Sequence, residues 1–485
     1  PEHTSLSESK IIVNDLQNFP VESWPDIRYM TSYAVKPEKI NAPFVSIDEY
    51  GVVSDYAQDT RLLEPIVQQN EVHTLQLASM IAGFGLNSLS LQATIFRPQT
   101  IEGTDGRIVR FFLSNYGITP EAWDKFTSEE PYFQDIDYLT TTNLPIALHT
   151  GNYRPLIRTD WFLANAFWEP NYSHLLYASS KIPTTEDEFI STFGFEINSV
   201  KLLQRDRGHV VSGLASIVAF NDRRLQRYSG ILDYLYRSND FSDNVDKTIT
   251  KTVNGRVVTT VLQRNPSSDL LTLDNQHVIF DVDAGELITQ LPNGLQGYAI
   301  VNKQRKIVAD ADINIVRDTL NIQNDPVVRT AASCMWCHAR GLNVPGNNSL
   351  ANVGIKQIAD IKSYSPEVVI FLQRFYNTDF GRFIREDQLS YQYAVAKSNS
   401  LSAESNGQYF QYFVSQYKYN ELYAEDAARE LGITVNRLRS VSRASYIKEL
   451  LDLFGDTPIP VQREIWEGMF QQVKLIEKGA VDEVP

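Results

Sequence analysis

The chain has 485 residues, of which 43% are hydrophobic, 11% aromatic and 21% charged. That composition excludes a disordered, collagen-like or coiled-coil chain and predicts a globular protein with room for several packing units. With 44 Lys and Arg against 59 Asp and Glu the formal charge is −15, which repels phosphate backbones and anionic lipid alike, so nucleic acid is not an expected partner.

Residues 1–28 are polar and interrupted by Pro20 and Pro25, and read as an N-terminal arm. Beyond it the segment Glu71 to Ala82 places Val72, Leu75, Leu77, Ala78 and Ile81 at helical spacing, and predicts a helix that Gly83 and Gly85 end. Thr94 to Phe96 and Arg107 to Leu113 read as strands of a hairpin around Gly103-Thr104-Asp105-Gly106. The most apolar stretch, Leu75 to Leu91, is broken by Ser79, Gly83, Gly85 and Asn87, so no transmembrane segment is expected.

A second block starts near Thr159. Thr159-Asp160 ahead of Trp161 to Ala166 reads as a helix start, and Thr185-x-x-Glu188 has capping-box form, opening a short helix that Gly194 closes. Thr248 to Val253 and Arg256 to Leu262 alternate around Asn254-Gly255, which predicts a two-stranded ribbon over 248–262. Glu286 to Leu291, Gly297 to Val301 and Lys306 to Val308 form a small antiparallel sheet in this reading. Past residue 331 the pattern turns helical. Ser365-Pro366-Glu367 opens Val368 to Tyr376, and helical spacing covers Glu425 to Leu431, Val435 to Arg439, Tyr446 to Phe454 and Val461 to Lys478. The expected class is α+β, divided into the arm 1–28, an α/β region 29–157, a mixed helix and antiparallel-sheet region 158–330, and a helical region 331–485.

The chain holds two cysteines, and they stand three apart as Cys334-Met335-Trp336-Cys337, with His338 next. Cys-x-x-Cys-His is the attachment pattern of c-type haem. Two thiols on the first turn of a helix can each join one porphyrin vinyl group, and the following imidazole becomes the proximal iron ligand. A zinc site would need a fourth ligand and a second close Cys or His pair, and none is nearby in sequence. A thioredoxin-type pair would sit at a strand-to-helix turn of a βαβ unit, which the flanks do not resemble. One covalent haem c is therefore the expected cofactor, held by Cys334, Cys337 and His338. Thioether attachment takes place outside the cytoplasm, so the expected location is the periplasm, the cell surface or the extracellular space. Pro1 in place of Met is read as the start of a mature chain whose export signal has been cut away.

Ala427 to Leu438, with Gly432 between two helical patterns, has the look of a helix-turn-helix, yet the acidic chain and the haem motif favour an ordinary packed helix pair.

Several segments together resemble one family. They are Asp26-Ile27-Arg28-Tyr29, Leu86-Asn87-Ser88-Leu89-Ser90, Arg107 to Gly117, Arg158-Thr159-Asp160-Trp161-Phe162, Ser212-Gly213, Asn221 to Arg227, Leu291 to Tyr298, and Ala332 to His338. In order and spacing the chain resembles large secreted bacterial proteins of planctomycete-like genomes that carry a single Cys-x-x-Cys-His far along the chain. The resemblance runs from about residue 26 to the C-terminal helices and implies a monohaem c-type cytochrome without specifying a reaction. Two departures from the family pattern stand out: the ribbon at 248–262, a candidate partner surface, and the bulky Trp336 inside the motif.

The sixth iron position decides the function class. Met or His there makes an electron-transfer protein, and an open position admits substrate. Met335 lies inside the motif, and Met30, Met80 and Met469 are distant in sequence, so His209 and His174, within the resembling segments, are the candidate distal ligands. Arg223, Arg224 and Arg227, with Arg205 and Arg207, form the densest basic cluster and are candidate partners for the haem propionates, or else ion pairs on a solvated helix face. The leading reading is an electron-transfer cytochrome with a redox partner protein, within a larger oligomeric assembly or alone. The alternatives are a haem enzyme of peroxidase or oxygenase type and a scaffold subunit with a structural haem.

Overall fold

The computed structural model describes residues 5–45, 67–132, 155–195, 222–228, 232, 234–241, 247–253, 256–262, 282–317, 326–342, 378–477 and 479. The chain is α+β, with several small sheets and a mostly helical C-terminal part. It divides into two compact units that interleave in sequence. One comprises Pro1–Phe167, Asn171–Lys181 and Val395–Pro485; the other comprises Trp168–Pro170 and Ile182–Ala394. Among the described residues no helix is long and apolar enough to cross a membrane.

The first unit is built on a four-stranded sheet in the order Gln99–Thr100, Ile108–Phe112, Ile27–Thr31, Leu156–Arg158. Its central strand Ile27–Thr31 is buried throughout, pairing antiparallel with Ile108–Phe112 and parallel with Leu156–Arg158. The segment expected to be a polar arm instead contains the helix Ser5–Leu16 and a 3₁₀ turn Val21–Asp26. Three apolar residues suffice to dock it, because Ile12, Val13 and Leu16 join Trp24, Ile27 and Ile108 in one buried cluster.

Two other expectations shift. The helix over 71–82 is found at Thr74–Ser88, and it runs through both glycines. A Cβ on Gly83 would stand 3.0 Å from Pro98 Cδ and one on Gly85 3.1 Å from Phe162 Cε1, so these glycines provide close approach inside a buried helix and not its end. Thr94 to Phe96 form no strand; the partner of Ile108–Phe112 is Gln99–Thr100. Asn87 takes both backbone groups of Phe96, donating to its carbonyl at 2.7 Å and accepting its N–H at 3.0 Å, which removes them from any ladder.

The helices Thr159–Asn165, Ala403–Tyr419, Ala424–Leu431, Val435–Arg443 and Arg463–Glu477 also belong to this unit. The pair around Gly432, which is left-handed at φ +70°, is an internal packing element: Ala427, Ala428, Leu438 and Val441 are buried. At its centre Glu430 accepts hydrogen bonds from Arg158, Arg463 and Trp466, all buried.

The second unit has a five-stranded antiparallel sheet in the order Ile307–Val308, Gln296–Asn302, Val282–Gln290, Leu235–Phe241, Asp222–Tyr228. The last two strands were not expected; Arg223, Arg224 and Arg227 lie on a strand and not on a helix face. The ribbon is present as Lys247–Val253 paired with Arg256–Leu262 in the register that a two-residue Asn254-Gly255 turn demands. Thr185 caps the helix Glu186–Thr192 by accepting from Glu188 N–H at 3.3 Å, while the Glu188 carboxylate accepts from the Thr184 N–H at 2.8 Å. The helix expected at Val368 to Tyr376 lies outside the described residues, and a longer helix follows at Thr378–Asn399, with residues up to Ala394 in this unit.

Candidate functional site

The motif sits on a six-residue helix, Ala332–Cys337, with His338 as its C-terminal flanking residue. Its entry is a strained turn. Ala331 has φ +60° and ψ −56°, and Ala332 N–H reaches the Thr330 carbonyl at 2.7 Å, which makes Ala331 the centre of a γ-turn of the rare left-handed kind. Neighbouring bonds hold that strain in place: Thr330 donates its N–H to Ala309 and its hydroxyl to Val308, and Ser333 Oγ accepts Arg329 N–H at 2.9 Å. The helix therefore starts from a fixed point beside the short strand Ile307–Val308.

Along this helix Cys334 and Cys337 are three residues apart, hence on one face, and they form no disulfide. Met335, one residue on, is buried. Desolvation pushes the Cys334 thiol well above its ordinary range, with Glu286 of the central strand and Cys337 adding to the effect, so it is a neutral thiol at neutral pH. That environment opposes a thiolate and is compatible with an uncharged thioether. Among the described residues no three His, Cys, Asp or Glu side chains gather closely enough to hold a metal ion.

His338 is fixed by its own chain. Its N–H donates to the Cys334 carbonyl at 2.8 Å, Gly341 N–H donates to its carbonyl at 2.8 Å, and its Nδ1 lies 3.2 Å from the Gly341 carbonyl. Since a carbonyl only accepts, Nδ1 carries the proton in this contact.

Gly341 has φ +97°, a left-handed conformation, and is packed against the helix Thr378–Asn399: a Cβ there would be 3.2 Å from Gln388 Cγ and 3.5 Å from Tyr391 Cδ1. Gln388 Nε2 donates to the Leu342 carbonyl at 2.6 Å, and Gln392 Nε2 to the Arg340 carbonyl at 3.2 Å. That helix is itself fastened to the sheet. Arg227 donates from Nε and Nη2 to Asp387, each at 2.7 Å, Tyr236 OH bonds the same carboxylate, and Gln290 Nε2 reaches Ser390 Oγ at 3.1 Å.

Arg227 is buried in that bidentate pair with Asp387, whose charge and hydrogen bonds outweigh desolvation and hold the guanidinium above its usual range. Arg223 and Arg224 pair through the backbone with Asp240 and Asn239 of the neighbouring strand. His174 belongs to the first unit, where its Nε2 is 3.2 Å from Lys125 Nζ. His209, Arg205 and Arg207 lie outside the described residues. Sequence reasoning did not single out Gly341, Gln388 or Gln392. A glycine three residues beyond His338 is the one readable sign among them, because a left-handed residue after a helix favours Gly. No protein-family model, curated protein or solved structure matches the chain.

Proposed function

We propose that the chain is an exported monohaem c-type cytochrome that carries single electrons to or from a partner protein. The observation that carries this reading is the His338 side chain, with Nδ1 engaged by the Gly341 carbonyl at 3.2 Å, directly after a helix that presents Cys334 and Cys337 on one face. Cys334 and Cys337 would hold the group through thioether bonds, each made by adding S–H across a vinyl C=C, which would need no oxidant. Bound there, the haem supplies a one-electron iron couple. The chain's residues orient the axial imidazole and shield the attachment helix by burying Ala332, Ser333 and Met335.

The test is mass spectrometry of the native polypeptide together with ferric and ferrous absorption spectra, with and without carbon monoxide. One covalent tetrapyrrole and low-spin bands indifferent to carbon monoxide are expected. A polypeptide without added mass overturns the haem, and high-spin bands that move with carbon monoxide replace electron transfer with ligand-activating enzyme chemistry.

A further inference from the structure

The turn after the motif is gripped from outside. Three residues of one helix face, Gln388, Tyr391 and Gln392, meet the segment Arg340 to Leu342. The two glutamine amides bind the carbonyls on either side of Gly341, and a Cβ at Gly341 would crowd Gln388 Cγ at 3.2 Å. The carbonyl left between them is the one that receives His338 Nδ1. Bracketing both neighbours restricts rotation of the peptide planes around Gly341, a residue whose φ of +97° only glycine adopts without strain.

We propose that Gln388 and Gln392 are positioning residues for the axial imidazole: by holding the Leu342 and Arg340 carbonyls they aim the Gly341 carbonyl at His338 Nδ1 and so set how strongly the imidazole donates to iron. This role rests on the haem reading above. A hydrogen bond from Nδ1–H to a carbonyl makes the ring a stronger donor, which favours ferric iron and lowers the reduction potential. Loosening the turn raises it. The helix can act as a buttress because Asp387, next to Gln388, is locked to Arg227 and Tyr236 of the sheet.

The full-length holoprotein and its Gln388→Met, Gln392→Met and double variants test this. Haem content is measured first, then the reduction potential by spectroelectrochemical titration and the exchange rate of the His338 Nδ1 proton by NMR of the ferrous form. All variants are expected to hold one haem per chain. Gln388→Met should raise the potential and speed Nδ1 proton exchange about tenfold, the size of one lost hydrogen bond; Gln392→Met, at a solvent-exposed contact, should shift both less, and the double variant most. If Gln388→Met does not fold, Gln392→Met alone must still raise the potential. Fully loaded variants with the wild-type potential and exchange rate overturn the positioning role and leave the haem reading intact. A wild-type chain that takes up no haem removes the reading beneath it as well.

Discussion

Arg158 and Glu430, 272 residues apart in sequence, are joined by two buried hydrogen bonds of 2.9 and 3.1 Å. Arg463 Nη1 approaches both oxygens of the same carboxylate at 2.9 Å, and Trp466 Nε1 adds a fourth donor at 2.9 Å. Asp160 balances Arg158 from its other side. Removing the carboxylate leaves the buried Arg463 without its carboxylate partner, Arg158 with Asp160 alone and the Trp466 indole N–H without its acceptor. Glu430→Ala is therefore expected to cost about 3–5 kcal/mol, the range for breaking a buried ion pair from one side. Urea denaturation followed by tryptophan fluorescence measures it, and a loss below about 1 kcal/mol would show that the network is decorative.

The same carboxylate predicts how the protein responds to acid. Burial alone would raise Glu430, but Arg158 and Arg463, through charge and hydrogen bonds, hold it down at about 2. Its folded value thus lies below the unfolded one of about 4.3. The stability it provides is complete above the unfolded value and is lost as pH falls from about 4.3 towards about 2. A shift of this size corresponds to roughly 3 kcal/mol. Glu430→Gln, which cannot titrate, should show a flatter fall in stability across that window than the parent chain. Parallel slopes for the two proteins would contradict the assignment.

What could be read from sequence was set locally. The paired strands of the 247–262 ribbon, the Thr185 cap and the helix that carries the Cys-x-x-Cys-His pattern each depend on neighbours within a few positions. The strands Asp222–Tyr228 and Leu235–Phe241 did not announce themselves, because the first reads Asp-Arg-Arg-Leu-Gln-Arg-Tyr. Arg227 is buried there only because Asp387, 160 residues later, neutralises it. The long helices Thr378–Asn399 and Ala403–Tyr419 were missed because Tyr, Gln, Ser and Asn take many of their positions and blur the apolar stripe. At the site the contrast is sharpest: five consecutive residues carry the proposed attachment, whereas the grip on the turn is made by backbone carbonyls and two glutamines, which carry no spacing signature.

Two glycines in helix interiors should respond oppositely to alanine. At Gly468, in the helix Arg463–Glu477, a Cβ meets nothing within 4 Å, so Gly468→Ala should stabilise by about 1 kcal/mol through helix propensity alone. At Gly85 the same gain is opposed by a methyl 3.1 Å from Phe162 and 3.4 Å from Leu163. Phe162 is fully buried and ringed by Trp123, Phe126 and Phe167, so it cannot swing aside. Overpacking costs about 1–3 kcal/mol, and Gly85→Ala should come out net destabilising by roughly 1 kcal/mol. Melting curves of the two variants decide the matter by sign.

The proposed attachment makes the two thiols separable. Cys334 and Cys337 share one helix face but belong to different turns, so each would hold a different vinyl group. Either single alanine variant should keep a covalent haem on its remaining thioether, with His338 still held by Gly341. The freed vinyl rejoins the conjugated ring and moves the ferrous absorption band to longer wavelength. Cys334→Ala combined with Cys337→Ala should lose all haem that survives denaturing electrophoresis. His338→Ala should do the reverse, keeping covalent haem but losing the low-spin spectrum, because the thioethers anchor the ring while the imidazole sets the ligand field. Haem staining and absorption spectra of the four variants check each step. Covalent haem in the double variant would place the attachment elsewhere in the chain, and an unchanged low-spin spectrum in His338→Ala would remove that imidazole from the iron.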